Sequence, residues 1–97
     1  MKYTARFSPF AKEDKEEIKT YLSKFYTETP RRFTALLKEH IIKLKENPYM
    51  YPVYPENPDY RRMLVGNYIV FYKVNEAEKK IDIYRILRAS WDLPKYL

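Results

Sequence analysis

The chain has no cysteine, one histidine, one glycine and one tryptophan in 97 residues. Without cysteine there are no disulfides and no thiolate metal sites. With His40 as the single histidine, a histidine-rich metal cluster is excluded as well. No run approaches the roughly 18 apolar residues that a membrane-spanning helix needs. The first ten residues, MKYTARFSPF, carry no apolar signal region, so export is not expected. A reducing, cytoplasmic setting fits these absences. No cofactor, metal or membrane association is expected.

What the chain does have is apolar and aromatic side chains, at 45% and 18% of residues. That is too rich for a disordered segment. The length suits one domain spanning residues 1–97, with a small stability margin. Nineteen basic residues against thirteen acidic ones give a net charge of +6. The excess is uneven: residues 1–59 carry a net +2 and residues 60–97 a net +4. Such a bias favours a polyanion or an acidic protein as partner, without choosing between them.

Residues 2–7 alternate, with Tyr3, Ala5 and Phe7 on one side, as in a short half-buried strand. Ser8-Pro9 is a helix start. Phe10, Asp14, Ile18, Tyr21, Leu22 and Phe25 then recur at helical spacing, a stripe apolar except for Asp14. The acidic group Glu13, Asp14, Glu16 and Glu17 is expected on a solvated face near the helix start rather than around a metal. Thr29-Pro30 opens a second helix whose stripe is Phe33, Leu36, Leu37, His40, Ile41 and Leu44, ending near Asn47-Pro48. His40, on or beside that stripe, is expected to be packed and hydrogen-bonded rather than catalytic. Residues 48–59, PYMYPVYPENPD, hold four prolines and cannot be helical. They are expected to form a stiff surface connector whose tyrosines lie on the core, in preference to a ligand for a proline-reading groove.

Residues 60–65 and 68–74 alternate around Gly66-Asn67, a pair suited to a two-residue hairpin turn. After the polar turn 75–79, residues 80–88 form another strand. Neither of its faces is wholly apolar, which points to a sheet partly covered on both sides. Residues 89–97 are a short tail. The expected fold is α+β: a short N-terminal strand, a helical hairpin, then a three-stranded antiparallel meander, with the helices packed on one face of the sheet.

Three segments, NPYMYP, YRRMLVGNYIVFYKV and IDIYRILRASWD, in this order and spacing, resemble the RelE/ParE toxins of bacterial type II toxin–antitoxin pairs. The resemblance covers almost the whole chain. It implies a cytoplasmic toxin neutralised by a cognate antitoxin. It also implies one of two targets: ribosome-bound mRNA, which RelE-like members cleave, or DNA gyrase, which ParE-like members inhibit. Arg61 and Arg62 stand where RelE-like members carry lysines, and Arg88 where the family ending often has histidine. Tyr96 matches a C-terminal tyrosine loosely. Ile69 and Trp91 replace two family arginines, Ala89 replaces a glycine, and Asp92 keeps the acidic residue. The resemblance thus makes Arg61, Arg62, Arg88 and Tyr96 the catalytic candidates for a RelE-like activity. Tyr84, Arg85 and Trp91, on the last strand and its exit, are candidates for binding. Docking of the tail on the core is the competing role for Trp91.

Cleavage through the 2′-hydroxyl needs a base, cations for the phosphate and an acid for the leaving oxygen. Arginine supplies charge but stays protonated, so a tyrosine would have to move the protons. Three functions therefore compete. The first is a ParE-like toxin that acts by binding, which the two missing arginines favour. The second is a ribosome-dependent endonuclease with an altered basic set. The third is a small basic domain that binds nucleic acid or an antitoxin without toxicity. Arg61 and Arg62 are strand neighbours, so only one of them can line any given groove.

Overall fold

A computed structural model describes residues 3–24 and 29–89. Ser8 caps the first helix as its sequence predicts: its hydroxyl accepts the Ala11 N–H at 3.0 Å and donates to the Tyr84 carbonyl at 2.6 Å. One side chain thus starts the helix and ties it to the last strand. The elements are β1 (Thr4–Phe7), α1 (Pro9–Ser23), α2 (Thr29–Glu46), β2 (Arg61–Val65), β3 (Tyr68–Asn75) and β4 (Lys80–Arg88). The sheet runs β1-β4-β3-β2. The last three strands form the expected antiparallel meander, and β1 joins parallel to β4, so the sheet is mixed. Gly66 has φ of 61° and Asn67 does not share it, the glycine-first pattern of a tight hairpin turn.

Both helices cover one face of the sheet. The main core joins Ala11 and Ile18 of α1, Phe33, Leu37, Ile41 and Leu44 of α2, and alternate residues of the strands. On the opposite face, here called the open face, Tyr54, Ile69, Phe71 and Leu87 form a second, smaller cluster, with Tyr60 packed against it. The connector after α2 supplies Tyr54, which meets Phe71 edge-on at 5.0 Å. Tyr72 donates to the Pro48 carbonyl at 2.8 Å. The connector is therefore a structural cover, although Tyr49 stays about half exposed and does not lie on the core.

Strand β4 explains its own mixed alternation. Phe71 pairs with Arg85 but the next residue, Tyr72, pairs with Ile83, so a bulge leaves one β4 residue extra at Tyr84. Ile81 and Ile83 face the helices before the bulge and Ile86 faces them after it, while Leu87 turns to the open face. The rotation of α1 also departs from expectation. Phe10 is exposed, and Ala11, Asp14 and Ile18 form the buried side. Asp14 is not on a solvated face, because β4 offers it partners that water would otherwise have to supply.

Candidate functional site

Arg61 and Arg62 point to opposite sides of β2. Arg61 lies on the helix side, where it donates to the Tyr51 carbonyl at 2.7 Å with its guanidinium 5.0 Å from the Tyr49 ring centre. Arg62 is exposed on the open face, 5.8 Å from the Tyr54 ring centre, and its own N–H is held by the Pro52 carbonyl. Arg88 ends β4 on the helix side. It donates to the Tyr21 hydroxyl at 3.3 Å and lies over that ring, and this hydrogen bond raises its pKa. It rims an apolar cleft with Ile18, Tyr21, Tyr68 and Ile86. Across the hairpin, Arg88 is level with Val65 and Arg61 is four positions back along β2, a separation of about 13 Å along the strand direction. The fold therefore does not gather Arg61, Arg62 and Arg88 into one constellation.

Arg85 is committed to the core boundary. Its Nε and Nη2 donate to the two carboxylate oxygens of Asp14 at 2.8 and 2.9 Å. Asp14 Oδ2 also accepts the Ile86 N–H at 3.0 Å. Asp14 is only 7% exposed, so the carboxylate needs all three donors to offset its lost hydration. The Asp14 hydrogen bond is the main cause of the raised Arg85 pKa. Asp14 was legible in the sequence as the one charge interrupting an apolar stripe, a signal outweighed by the acidic run around it.

The bulge puts Tyr84 at the α1 border of the open face. It stacks on Tyr60 at 5.0 Å and meets Phe10 edge-on at 6.0 Å. Lys73 caps the Tyr60 ring at 4.5 Å. The open face thus carries an aromatic stack capped by Lys73, and separately the Tyr54 ring beneath Arg62. Tyr60 and Lys73 were not among the sequence candidates, because nothing in the local pattern pairs residues from different strands. Trp91 and Tyr96 lie outside the described residues.

Tyr3, Tyr49, Tyr68 and Tyr72 have their pKa pushed up, Tyr72 to about 12 by burial. His40 is spent on structure, its Nδ1–H donating to the Leu36 carbonyl at 2.8 Å. Among the described residues there is no cluster of groups able to hold a metal ion. None of their helices is long and apolar enough to cross a membrane.

This combination of a helical hairpin on one face of a small mixed sheet is shared with known toxins. The toxin–antitoxin complex RelBE2 of Mycobacterium tuberculosis matches at 20% identity and a TM-score of 0.69, over 91% of this chain and 99% of that one. The chromosomal ParDE toxin–antitoxin system of P. aeruginosa matches at 18% identity and a TM-score of 0.76, over 91% and 97% of the two chains. The intact E. coli RelBE toxin–antitoxin complex matches at 15% identity and a TM-score of 0.64, over 92% and 99%. At these identities the likeness is one of fold. Curated protein sequences give no match. The family profile of the ParE toxin of type II toxin–antitoxin systems, parDE, matches residues 5–93. The chain belongs to this toxin family, within the wider RelE/ParE group.

Proposed function

We propose that this protein is the toxin of a type II toxin–antitoxin pair, that a cognate antitoxin neutralises it, and that it acts by binding a target such as DNA gyrase rather than by cutting RNA. The observation that carries this reading is the dispersal of the basic side chains. Arg61 is held by the connector, Arg85 by Asp14 and Arg88 by Tyr21, on different faces and ends of the sheet. RNA cleavage needs cations and a proton-transfer group converging within hydrogen-bond reach of one phosphate. The family match and the replacement of two RelE-type arginines by Ile69 and Trp91 support the same reading. Such a toxin works in the cytoplasm, where both target and antitoxin are found.

Two assays run side by side test it. Purified protein is added to gyrase in a DNA supercoiling assay and to translating ribosomes with mRNA ends mapped by primer extension. Loss of supercoiling with intact mRNA is expected. New mRNA ends in the ribosomal A site would overturn the binding reading and make Arg61, Arg62 and Arg88 the residues to dissect.

A further inference from the structure

Strand β4 holds one residue more than β3 can pair. Tyr72 pairs with Ile83 and Phe71 with Arg85, so Tyr84, between them, is paired with no residue of β3. Ladder partners share a face of the sheet. Ile81 and Ile83 face the helices with Val74 and Tyr72, Ile86 faces them with Val70, and Leu87 faces the open side with Ile69. With Tyr84 passed over, the strand alternates without a break. The pattern that builds the core is complete without Tyr84, which enters as an insertion.

The fold nonetheless supports this insertion. An extra residue leaves backbone groups outside the ladder, and α1 meets them. The Ser8 hydroxyl donates to the Tyr84 carbonyl at 2.6 Å, and the Ser8 N–H donates to the Ile83 carbonyl at 2.9 Å. A bulge of this kind re-aims a side chain. Here it presents a half-buried ring on the open face, stacked on Tyr60 at 5.0 Å, with the exposed Phe10 edge-on at 6.0 Å. The ring is fixed before any partner arrives. Its hydroxyl has no hydrogen-bond partner among the described residues.

Lys73 stands beside this ring pair, exposed, 4.5 Å from the Tyr60 ring centre. Asp82, its cross-strand partner, is taken by Arg6. Lys73 therefore has no ion-pair partner among the described residues. Tyr60, Tyr84 and Lys73 line one depression with Ser8, Pro9 and the Arg6–Asp82 pair.

We infer that Tyr84 is an anchor through which this toxin holds its protein target, and that it meets an exposed carboxylate there. That carboxylate accepts from the Tyr84 hydroxyl and neutralises Lys73. The inference rests on the reading that the toxin acts by binding. A ring already held in place contributes contact area with little ordering cost on association. A single-stranded nucleic acid is the poorer fit. Tyr60 already has Tyr84 stacked on it and Lys73 over it, which leaves less ring face for a base.

The native protein, Tyr84→Ala, Tyr84→Phe and Lys73→Ala are compared for growth inhibition on induction and, as purified proteins, for inhibition of supercoiling by DNA gyrase. Circular dichroism melts establish that each variant folds. Tyr84→Ala is expected to raise the concentration for half-inhibition by about tenfold or more, the range for a tyrosine that dominates an interface. Tyr84→Phe keeps the ring and the melting curve but loses the hydroxyl. It should weaken inhibition about fivefold, the range for one neutral hydrogen bond, whereas a role confined to packing would leave it at native strength. Lys73→Ala should also weaken inhibition. Full inhibition by a folded Tyr84→Ala variant overturns the inference and leaves the binding reading standing. Native strength in both Tyr84→Phe and Lys73→Ala overturns it as well. A native protein without effect on supercoiling removes gyrase as the target instead, and the growth comparison then decides the inference alone. Tighter binding of a single-stranded RNA oligonucleotide than of gyrase, lost in Tyr84→Ala, overturns the protein partner.

Discussion

Asp14 and Glu76 are both carboxylates with three donors, and their surroundings give them different weights. Asp14 is buried, so each unmet donor or acceptor there carries a desolvation cost. Asp14→Ala takes the carboxylate away from Arg85 and the Ile86 N–H and is expected to lower stability by about 3 kcal/mol, measured by urea unfolding. Glu76 accepts from Lys79 at 2.7 Å, from Tyr3 at 2.7 Å and from Tyr49, and these contacts lower its pKa from 4.5 to about 2. A carboxylate with a depressed folded pKa contributes stability that is complete above its unfolded value. That contribution is lost as pH falls from about 4.5 towards 2. The site is exposed, so the effect is small. Comparing the thermal midpoints of the native protein and Glu76→Gln across that pH window measures it: the gap present at pH 6 should close at pH 2.

Arg61 and Arg62 stand on opposite faces of one strand and are expected to separate structure from activity. Arg61→Ala removes a hydrogen bond to the Tyr51 carbonyl and a contact with the Tyr49 ring, and should cost about 1 kcal/mol of stability. Arg62→Ala, on the open face, should leave the melting curve unchanged and reduce growth inhibition on induction. Full toxicity of a folded Arg62→Ala variant would remove the open face from the target surface.

Strand β4 and the hairpin show how an element is set by local chemistry and then adjusted. Gly66 supplies the positive φ of the β2–β3 turn, and its missing Cβ has room, the nearest atom being Leu36 Cδ2 at 3.7 Å. Gly66→Ala is therefore a test of backbone strain alone. It is expected to destabilise by about 1 kcal/mol, seen as a lower denaturation midpoint with an unchanged m-value. The bulge at Tyr84 has a different origin. It lets Ile83 and Ile86 both face the helices, frees the Ile86 N–H for Asp14, and brings Tyr84 onto Tyr60. An element whose alternation breaks midway is easily misjudged as having two indifferent faces, which is how β4 reads in isolation.

The molecule has two unlike sides. The helical side has an exposed cleft lined by Lys15, Lys38 and Lys45 with Ile41 and Ile42, and the open face carries the Tyr60–Tyr84 stack capped by Lys73. A net charge of +6 raises encounter rates with any anionic surface.

Helices, hairpin turn and element order followed from the residues themselves, because capping, periodicity and turn conformation are local: Ser8 before Pro9, the stripe of Phe33, Leu37, Ile41 and Leu44, and Gly66 with its φ of 61°. The expectation that only one of Arg61 and Arg62 faces a given side followed equally from the period of a strand. Other features needed the chain to fold. The parallel pairing of β1 with β4 joins residues more than seventy positions apart. The burial of Asp14 depends on Arg85, and the Tyr60–Tyr84 stack on the bulge. Each of these is a long-range contact, and the side chain alone does not reveal which distant group will satisfy it.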